Sequence, residues 1–319
     1  MSPNVSTVAK KIIGNVEKVI LGKRQELLLA LVSYFCERHI LLDDVPGVAK
    51  TMLARSLARS IDCSFKRVQC TPDLLPSDIT GASIFNQKLA EFVFRQGPIF
   101  AQIVLADEIN RATPRTQAAL LEAMGEGRVT VDGHTYELER PFLVIATQNP
   151  IDHEGTFPLP EAQLDRFLVR LSLGYPSFDD EGKMLERLQR AHPVDQIEPV
   201  VTPADVIACQ KAIREVYVDE KVRSYILEIV HGTRLHDDVA LGGSPRASLA
   251  LFRTSQAVAA MRGNNFVLPD DVKRMVTPVL NHRLVLKPES RLRKVTSAKV
   301  IDEVLAEVPV PVASGAAAS

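Results

Sequence analysis

Residues 43–51, DDVPGVAKT, have the composition of a phosphate-binding turn between an apolar strand and a predicted helix. Backbone N–H groups at a helix start bind phosphate oxygens, while a lysine and a hydroxyl there reach the β and γ phosphates and Mg²⁺. Lys50 is therefore predicted to contact phosphate and Thr51 to ligate Mg²⁺. The whole predicted cofactor-binding set is Val45, Pro46, Gly47, Val48, Ala49, Lys50, Thr51 and Met52.

Two residues of this segment depart from the phosphate-loop pattern G-x-x-x-x-G-K-[ST]. Asp44 and Ala49 stand where the pattern has glycine. The change at Ala49 matters more, because glycine eases the approach of the backbone to phosphate. Alanine can still present its N–H if its φ is negative, so Ala49→Gly is expected to change binding only slightly. For this segment alone, an ordinary strand-to-helix loop with a solvated lysine is the alternative.

Asp107 and Glu108 follow a short apolar run, residues 103–106, which has the form of a strand that delivers two carboxylates. One carboxylate can hold Mg²⁺ while the other orients and polarises an attacking water. We assign these roles to Asp107 and Glu108 respectively, because the pair follows the candidate phosphate loop. Asn149 follows another apolar run, residues 142–147, and could hold the same water. Its alternative role is that of a turn-forming asparagine before proline.

Two arginines could supply positive charge where negative charge develops during phosphoryl transfer. Arg166 lies just before a predicted linker, where an exposed side chain could point into an adjacent subunit. Arg246 opens a helix in the later part of the chain and could close over the same ligand. For either arginine, a solvated or ion-paired surface role is the alternative.

The elements that must position these residues alternate between strands and helices. Periodicity predicts a helix pair, three buried strands and one further helix, over residues 8–38, 39–42, 103–106, 142–147 and 52–60. The alternation predicts a parallel sheet covered by helices on both faces. Two strand-turn-strand patterns, residues 82–94 and 127–138, predict hairpins inserted into this α/β core.

The pattern changes after residues 174–177, GYPS, which we interpret as a linker. The sequence that follows has a mostly helical pattern, with helix starts marked at Thr202-Pro203 and Ser244-Pro245. A second, helical domain is therefore predicted. The end of the chain from residue 308 is predicted to be disordered.

Composition limits the classes of protein that fit this chain. Its 319 residues include 38 basic and 39 acidic side chains, for a net charge of −1, so no long-range field draws in nucleic acid. No apolar run is long enough to form a signal segment or cross a bilayer, so we expect a cytoplasmic protein without membrane insertion. The four cysteines form no CxxC pair and are predicted to be reduced core residues.

Five motifs resemble, in their order, those of the MoxR family of AAA+ ATPases: DDVPGVAKT, LADEINRATPRTQAALLEAMGEGRVTVDG, ATQNP, EGTFPLPEAQLDRF and GGSPRA. The resemblance implies an α/β P-loop NTPase core of the AAA+ type with inserted hairpins and a C-terminal helical lid. The implied domains are a core at residues 1–175, a lid at 176–307 and a disordered tail at 308–319. The implied roles are Walker A for Lys50 and Thr51, Walker B for Asp107 and Glu108, sensor 1 for Asn149, arginine finger for Arg166 and sensor 2 for Arg246.

The same resemblance implies ATP and Mg²⁺ as ligands and ATP hydrolysis between the subunits of a homo-oligomeric, hexameric ring. Members of the family act on client proteins in a chaperone-like way, often beside proteins with von Willebrand factor A domains. A client of that kind is expected here. Arg111 could be a second interfacial arginine, a helix cap or a salt-bridge partner. Two other functions stay open: a nucleotide-gated scaffold with negligible turnover, for which Ala49 leaves room, and a DNA-remodelling relative, against which the balanced charge argues.

Overall fold

The computed structural model describes three stretches of the chain, residues 4–149, 155–188 and 193–311. The chain folds as two compact units, residues 1–211 and residues 212–319. The first unit holds the candidate site motifs except the one around Arg246.

Strands and helices alternate along the first unit. Its strands are β1 (His39–Asp43), β2 (Phe65–Gln69), β3 (Gly81–Asn86), β4 (Glu91–Gln96), β5 (Ile103–Asp107), β6 (Arg128–Val131), β7 (His134–Glu137), β8 (Leu143–Gln148) and β9 (Phe167–Leu171). Its helices are α1 (Val5–Val16), α2 (Arg24–Phe35), α3 (Lys50–Ile61), α4 (Pro76–Thr80), α5 (Pro114–Glu126), α6 (Glu161–Leu164), α7 (Phe178–Leu188) and α8 (Pro203–Arg214), of which the last runs into the second unit. Short 3₁₀ turns occur at Pro98–Phe100, Ile109–Arg111 and Pro193–Gln196.

The centre of the first unit is a parallel sheet with the strand order β2-β5-β8-β1-β9. All residues of β5 and nearly all of β1 and β8 are buried. Strands covered on both faces need continuous apolar runs, and such runs are what made these three strands predictable. The predicted strands at residues 39–42, 103–106 and 142–147 and the predicted helix at residues 52–60 are confirmed.

Two strands of the sheet, β2 and β9, are additional to those predicted. On β2 only Val68 is buried, because this strand lies at the edge of the sheet and carries polar side chains. The apolar run of β9 is interrupted by Arg170, whose guanidinium pairs with the carboxylate of Asp43 on β1. Neither strand therefore shows the uninterrupted apolar signature of the central strands.

The predicted N-terminal helix pair is present as α1 and α2, and the two helices are separated close to Gly22. This glycine has φ +68°, and a Cβ placed on it would lie 2.2 Å from a carboxylate oxygen of Asp180. Only glycine combines this backbone conformation with so close an approach. At its other end α1 is capped by Asn4, whose side chain accepts a hydrogen bond from the N–H of Thr7.

Both predicted hairpins are present, as the antiparallel pairs β3–β4 and β6–β7. The second turns at Asp132-Gly133, where both residues have positive φ, as a two-residue turn of type I′ requires. Phe94 of the first hairpin stacks on Tyr136 of the second, with ring centroids 4.2 Å apart. The first hairpin also exposes apolar side chains, among them Phe92 at 72% exposure.

The second unit is mainly helical, as predicted. It contains α9 (Glu220–Leu235), β10 (Val239–Leu241), α10 (Pro245–Arg262), α11 (Pro269–Leu280), β11 (Val285–Leu286), α12 (Pro288–Leu292) and α13 (Ser297–Glu307). The predicted domain limits, residues 1–175 and 176–307, stay a prediction. Residues 312–319 of the predicted tail lie outside the described part of the chain.

The two predicted helix starts are also present. The N–H of Asp205 donates to the Thr202 hydroxyl at the start of α8, and the N–H of Thr202 donates to the Asp205 carboxylate. The Thr202 hydroxyl also donates to this carboxylate, and the two hydrogen bonds from the Thr202 N–H and hydroxyl lower the pKa of the Asp205 carboxyl below its usual value. The other start is Ser244, which precedes Pro245 as the N-cap of α10.

The four cysteines are reduced thiols, as predicted. Cys70 and Cys209 are buried, and burial raises the pKa of each thiol to about 12. Cys36 and Cys63 are only partly buried, so the prediction of core cysteines is right for two of the four. Within the described ranges, no helix is long and apolar enough to cross a membrane.

Candidate active site

The ends of three adjacent strands bring the predicted site residues to one edge of the sheet. In a parallel sheet the carboxyl ends of all strands lie on the same side. Here β5, β8 and β1 are consecutive neighbours, followed by Glu108, Asn149 and the loop of residues 44–49 respectively. Sequence positions far apart in the chain therefore meet at this edge.

The loop of residues 44–49 turns sharply into α3, whose first residue is Lys50. Gly47 has φ +86° and Ala49 has φ +59°. The condition of a negative φ at Ala49 is therefore not met, because the tight turn into α3 places a left-handed residue here in spite of the alanine side chain. A left-handed conformation costs a residue other than glycine about 1–2 kcal/mol. Such turns point successive N–H groups into one concave, anion-binding surface, and the space above Gly47 is open.

Asp44 explains the other departure from the phosphate-loop pattern. Its carboxylate is buried and accepts hydrogen bonds from the N–H groups of Leu173 at 2.5 Å, Gly174 at 2.9 Å and Val45 at 3.1 Å. The ammonium of Lys50 donates to the backbone carbonyl of Asp44 at 2.7 Å. A carboxylate at this position thus fixes the start of the loop to the segment that follows β9, a role that the loop sequence does not reveal.

Asp107, the last residue of β5, is 9% exposed and has both carboxylate oxygens in hydrogen bonds. The Thr147 hydroxyl donates to Oδ1 at 2.6 Å, and the guanidinium of Arg67 donates to Oδ2 from Nη2 at 2.6 Å and from Nε at 3.1 Å. Thr147 in turn accepts a bond from the N–H of Glu108 at 2.8 Å. One hydroxyl on β8 therefore holds both acidic residues in place.

Glu108 takes the left-handed backbone conformation, with φ +57°, and so turns out of the strand. Its Oε2 accepts hydrogen bonds from Gln69 on β2 and from Arg111, each at 3.1 Å. For Arg111 the structure therefore shows the salt-bridge alternative. Strained backbone conformations of this kind are common at functional sites.

Sequence reasoning missed four polar side chains that organise this edge, namely Asp44, Arg67, Gln69 and Thr147. Two of them, on β2, are alternate residues of an exposed edge strand that the apolar pattern could not identify. Recognition of this strand would have placed Arg67 and Gln69 on one face of it, because side chains alternate along a strand.

Asn149 directly follows β8 and is buried. Since β8 lies between β5 and β1, this residue stands between the acidic pair and the loop at the sheet edge. Its predicted role toward a water stays a prediction.

Arg166 lies at the opposite end of the sheet, where the parallel strands begin. It immediately precedes β9, which runs parallel to β1 with Phe167 opposite His39. The Arg166 backbone is therefore level with the start of β1, whereas the phosphate loop follows the end of β1. The exposed side chain donates from Nη1 to the carbonyl of Leu121 in α5 at 2.8 Å.

Gly125 makes room for this arginine. A Cβ placed on Gly125 would lie 2.5 Å from Nη1 of Arg166.

Arg246, the remaining predicted site residue, is exposed in the first turn of α10 in the second unit, and its role stays a prediction.

The oxygen-bearing side chains at the carboxyl ends of the strands suit Mg²⁺ bound with a triphosphate. Magnesium prefers oxygen ligands and is usually bound by one or two carboxylates or hydroxyls together with phosphate oxygens. Thr51 in the first turn of α3 offers a hydroxyl, and Asp107 offers a carboxylate at the end of β5. These residues fit the ion that the phosphate loop implies.

Comparison with known proteins agrees with this architecture. Residues 39–169 match the model of the "ATPase family associated with various cellular activities (AAA)", and residues 231–304 match an AAA lid domain. The chain is 39% identical to the chaperone MoxR1 of Mycobacterium tuberculosis over 98% of this chain and 84% of that protein. It is 30% identical to the MoxR protein of Paracoccus denitrificans, over 92% and 94% of the two chains.

The chain belongs to the MoxR family of AAA+ ATPases. The uncharacterized protein YeaC of Bacillus subtilis is 50% identical over 95% of this chain and 94% of its own. The crystal structure of a candidate ATPase from Cytophaga hutchinsonii superposes with a TM-score of 0.91 at 36% identity, covering 97% of this chain and 96% of that one. The predicted AAA+ fold with a lid domain is confirmed.

Proposed function

We propose that this MoxR-family chain hydrolyses ATP at the interfaces between subunits of a ring and uses the cycle to remodel client proteins. The observation that carries the proposal is the separation of Arg166 from the phosphate loop of its own chain. The phosphate loop follows the C-terminal end of the five-residue strand β1, whereas Arg166 is level with the N-terminal end of that strand.

This separation is too long for an arginine to bridge within one chain. A strand rises about 3.3 Å per residue, so the two ends of β1 are roughly 16 Å apart. Arg166 is also exposed, so it can extend toward the γ-phosphate held by a neighbouring subunit. Such an arginine stabilises the charge that develops on the transferred phosphoryl group. An incomplete site in the single chain is what a ring that hydrolyses ATP between subunits requires.

Each predicted site residue at the carboxyl ends of the strands has a role in the proposed reaction. The N–H groups of residues 47–51 and the Lys50 ammonium bind the β and γ phosphates. Thr51 and Asp107 hold Mg²⁺, which neutralises phosphate charge when bound. Glu108 orients and polarises the attacking water.

Asn149 and Arg246 complete the proposed site. Asn149 holds the attacking water from the side of β8, where it is buried at the sheet edge. Arg246, at the start of α10, closes on the nucleotide from the lid domain. The Lys50 ammonium, which donates to the carbonyl of Asp44, would exchange this interaction for phosphate oxygens of ATP.

The chaperone-like part of the proposal rests on the named relative and on the first hairpin. MoxR1 of Mycobacterium tuberculosis is named a chaperone. The β3–β4 hairpin exposes apolar side chains that a client could cover: Ile84, Phe85, Leu89, Phe92 and Val93. Contiguous exposed apolar surface marks binding sites for proteins more often than chance. A hexameric ring, a cytoplasmic location and a client with a von Willebrand factor A domain belong to the same proposal.

A nucleotide-gated scaffold is the alternative that one observation favours. Oε2 of Glu108 is engaged by both Gln69 and Arg111, and these two contacts would hold the carboxylate back from an attacking water. If these contacts persist with ATP bound, the chain would bind nucleotide without turning it over. Single-turnover hydrolysis at high protein concentration separates the scaffold from the enzyme.

The proposal is tested by separating binding from chemistry. Lys50→Ala is expected to lower ATP affinity by about tenfold or more, since a hydrogen bond to a charged group is worth about 1.5–3 kcal/mol. Glu108→Gln should bind ATP normally and fail to cleave it, because this carboxylate acts on the water in the transition state. Binding of a fluorescent ATP analogue and phosphate release measure the two steps.

Lys10→Ala, on the exposed face of α1, is the control for loss of a lysine. Equal loss of nucleotide affinity in Lys50→Ala and Glu108→Gln would reject the assigned roles. Normal turnover in Glu108→Gln would reject them as well.

A further inference from the structure

We propose that Arg67 is the counter-ion of Asp107 in the metal-free site, and that its displacement sets the Mg²⁺ concentration needed for nucleotide binding. The inference rests on the proposed function, since it takes Asp107 as the carboxylate that holds Mg²⁺. It adds a residue on the edge strand β2 to the residues that control the reaction.

Both oxygens of the Asp107 carboxylate have a donor, but the two donors differ in kind. Oδ1 accepts from the hydroxyl of Thr147, a neutral group on the adjacent strand β8. Oδ2 accepts two hydrogen bonds from the Arg67 guanidinium, at 2.6 Å and 3.1 Å. A metal ion that approaches Oδ2 therefore meets a positive charge already bound there.

The need for this counter-ion follows from the burial of the carboxylate. The Asp107 side chain is 12% exposed, and a carboxylate removed from water without a partner is costly. Arg67 compensates its charge while no metal is present. Gln69 keeps the guanidinium in place, because its Oε1 accepts a bond from Nη2 at 2.7 Å.

Arg67 can also leave the site at low cost. Its side chain is 48% exposed, so its charge is already partly hydrated and can move fully into water. Mg²⁺ and a guanidinium on the same oxygen repel each other across a few ångströms. Binding of Mg²⁺ is therefore expected to compete with Arg67, and removal of the arginine charge should make the metal bind more tightly.

The experiment measures binding of a fluorescent, non-hydrolysable ATP analogue over a series of free Mg²⁺ concentrations. Arg67→Gln should lower the half-saturating Mg²⁺ concentration by about fivefold, the factor that a partly exposed ion pair can be worth. Arg67→Lys keeps the charge and should stay close to the wild type. Lys66→Gln removes an exposed positive charge from the neighbouring position of β2, whose side chain points to the other face of the strand, and should leave the Mg²⁺ requirement unchanged.

A second measurement does not depend on the folding of Arg67→Gln. The Nε–H resonance of Arg67 in the wild-type chain, assigned by its loss in Arg67→Lys, should shift when Mg²⁺ and the analogue are added together. It should stay in place when the analogue is added with a chelator. Thermal unfolding of Arg67→Gln should also show a larger Mg²⁺-dependent stabilisation than that of the wild type.

The inference is overturned if Arg67→Gln keeps the wild-type Mg²⁺ requirement, if Lys66→Gln shifts it equally, or if Arg67→Lys shifts it as much as Arg67→Gln. An Nε–H resonance that does not respond to Mg²⁺ also overturns it. These results are distinct from failure of the proposed function, in which the wild-type chain would either bind no analogue at any Mg²⁺ concentration or bind it and not hydrolyse ATP.

Discussion

Ala49 adopts a backbone conformation that glycine usually occupies. Ala49 and Glu108 both have left-handed backbone, one in the phosphate loop and one after β5. The tight turns at these two strand ends direct the backbone N–H groups and the Glu108 carboxylate toward the same edge. Local strain at both positions is stabilised by the buried strands that precede them.

Replacement of Ala49 by glycine should release this strain. We expect Ala49→Gly to raise the free energy of unfolding by up to about 1 kcal/mol, because relief of a left-handed residue exceeds the added entropy of the unfolded chain. Nucleotide affinity should change by only a few-fold, since the turn already has the required shape. Urea unfolding and binding of a fluorescent ATP analogue measure the two effects.

Ala90→Gly is the matched control, because Ala90 has φ +52° in the turn between β3 and β4. It should give a similar gain in stability and no change in nucleotide affinity. A loss of stability in Ala49→Gly, or a large gain in affinity, would contradict this account of the loop.

At this scale the sequence predicted residues whose role depends on their place at a strand end. Asp107, Glu108 and Asn149 directly follow or end buried apolar runs, and Lys50 begins the helix after the loop that follows another such run, so local pattern was enough to select them. Arg67 and Thr147 act through contacts with a different strand. Those contacts depend on strand order, which the residues of one segment do not determine.

At the scale of elements, the C-terminal end of α5 supports the proposed arginine finger. The carbonyl of Met124 accepts from Nε2 of His39, whose Nδ1 accepts from the N–H of Val144. Burial lowers the pKa of His39 to about 4, so its ring stays neutral and can make both bonds. The start of β1, the start of β8 and the end of α5 are thus joined beside Arg166.

Gly125→Ala should displace the Arg166 guanidinium without harm to the fold. The added methyl would meet the far end of a flexible side chain, and alanine favours a helix over glycine by about 1 kcal/mol. We expect an unchanged or raised melting temperature together with slower ATP hydrolysis and normal ATP binding. Phosphate release, analogue binding and thermal unfolding of the same preparation measure the three properties.

Gly14→Ala in α1 is the matched control, since a Cβ there has open space around it. It should gain stability and keep full activity. If Gly125→Ala also keeps full activity, the contact between Gly125 and Arg166 has no part in the reaction.

Among the elements, the buried strands and both hairpins were predictable because their patterns are strong and local. The apolar runs of β5 and β8 and the Asp132-Gly133 turn each carry their own signal. The edge strand β2 was not predictable, since a single buried residue leaves no period to detect. The same strand supplies two of the missed polar side chains.

At the scale of the whole molecule, the proposed chemistry requires a second copy of the chain. The phosphate loop and Arg166 face opposite edges of one sheet, so each subunit would supply a pocket at one edge and an arginine at the other. Turnover per chain should then rise with protein concentration wherever the assembly dissociates. Neither edge alone contains a complete site.

Mixing of two inactive variants tests this central claim most directly. Arg166→Ala should bind ATP yet hydrolyse it roughly 10³ to 10⁵ times more slowly, the range by which such an arginine accelerates phosphoryl transfer. Lys50→Ala should be inactive because its pocket fails to bind. In a mixed assembly, the intact pocket of an Arg166→Ala subunit can meet the intact arginine of a Lys50→Ala neighbour, so phosphate release should reappear. Near-normal turnover in Arg166→Ala alone, or verified subunit exchange without activity above either variant, would contradict the account.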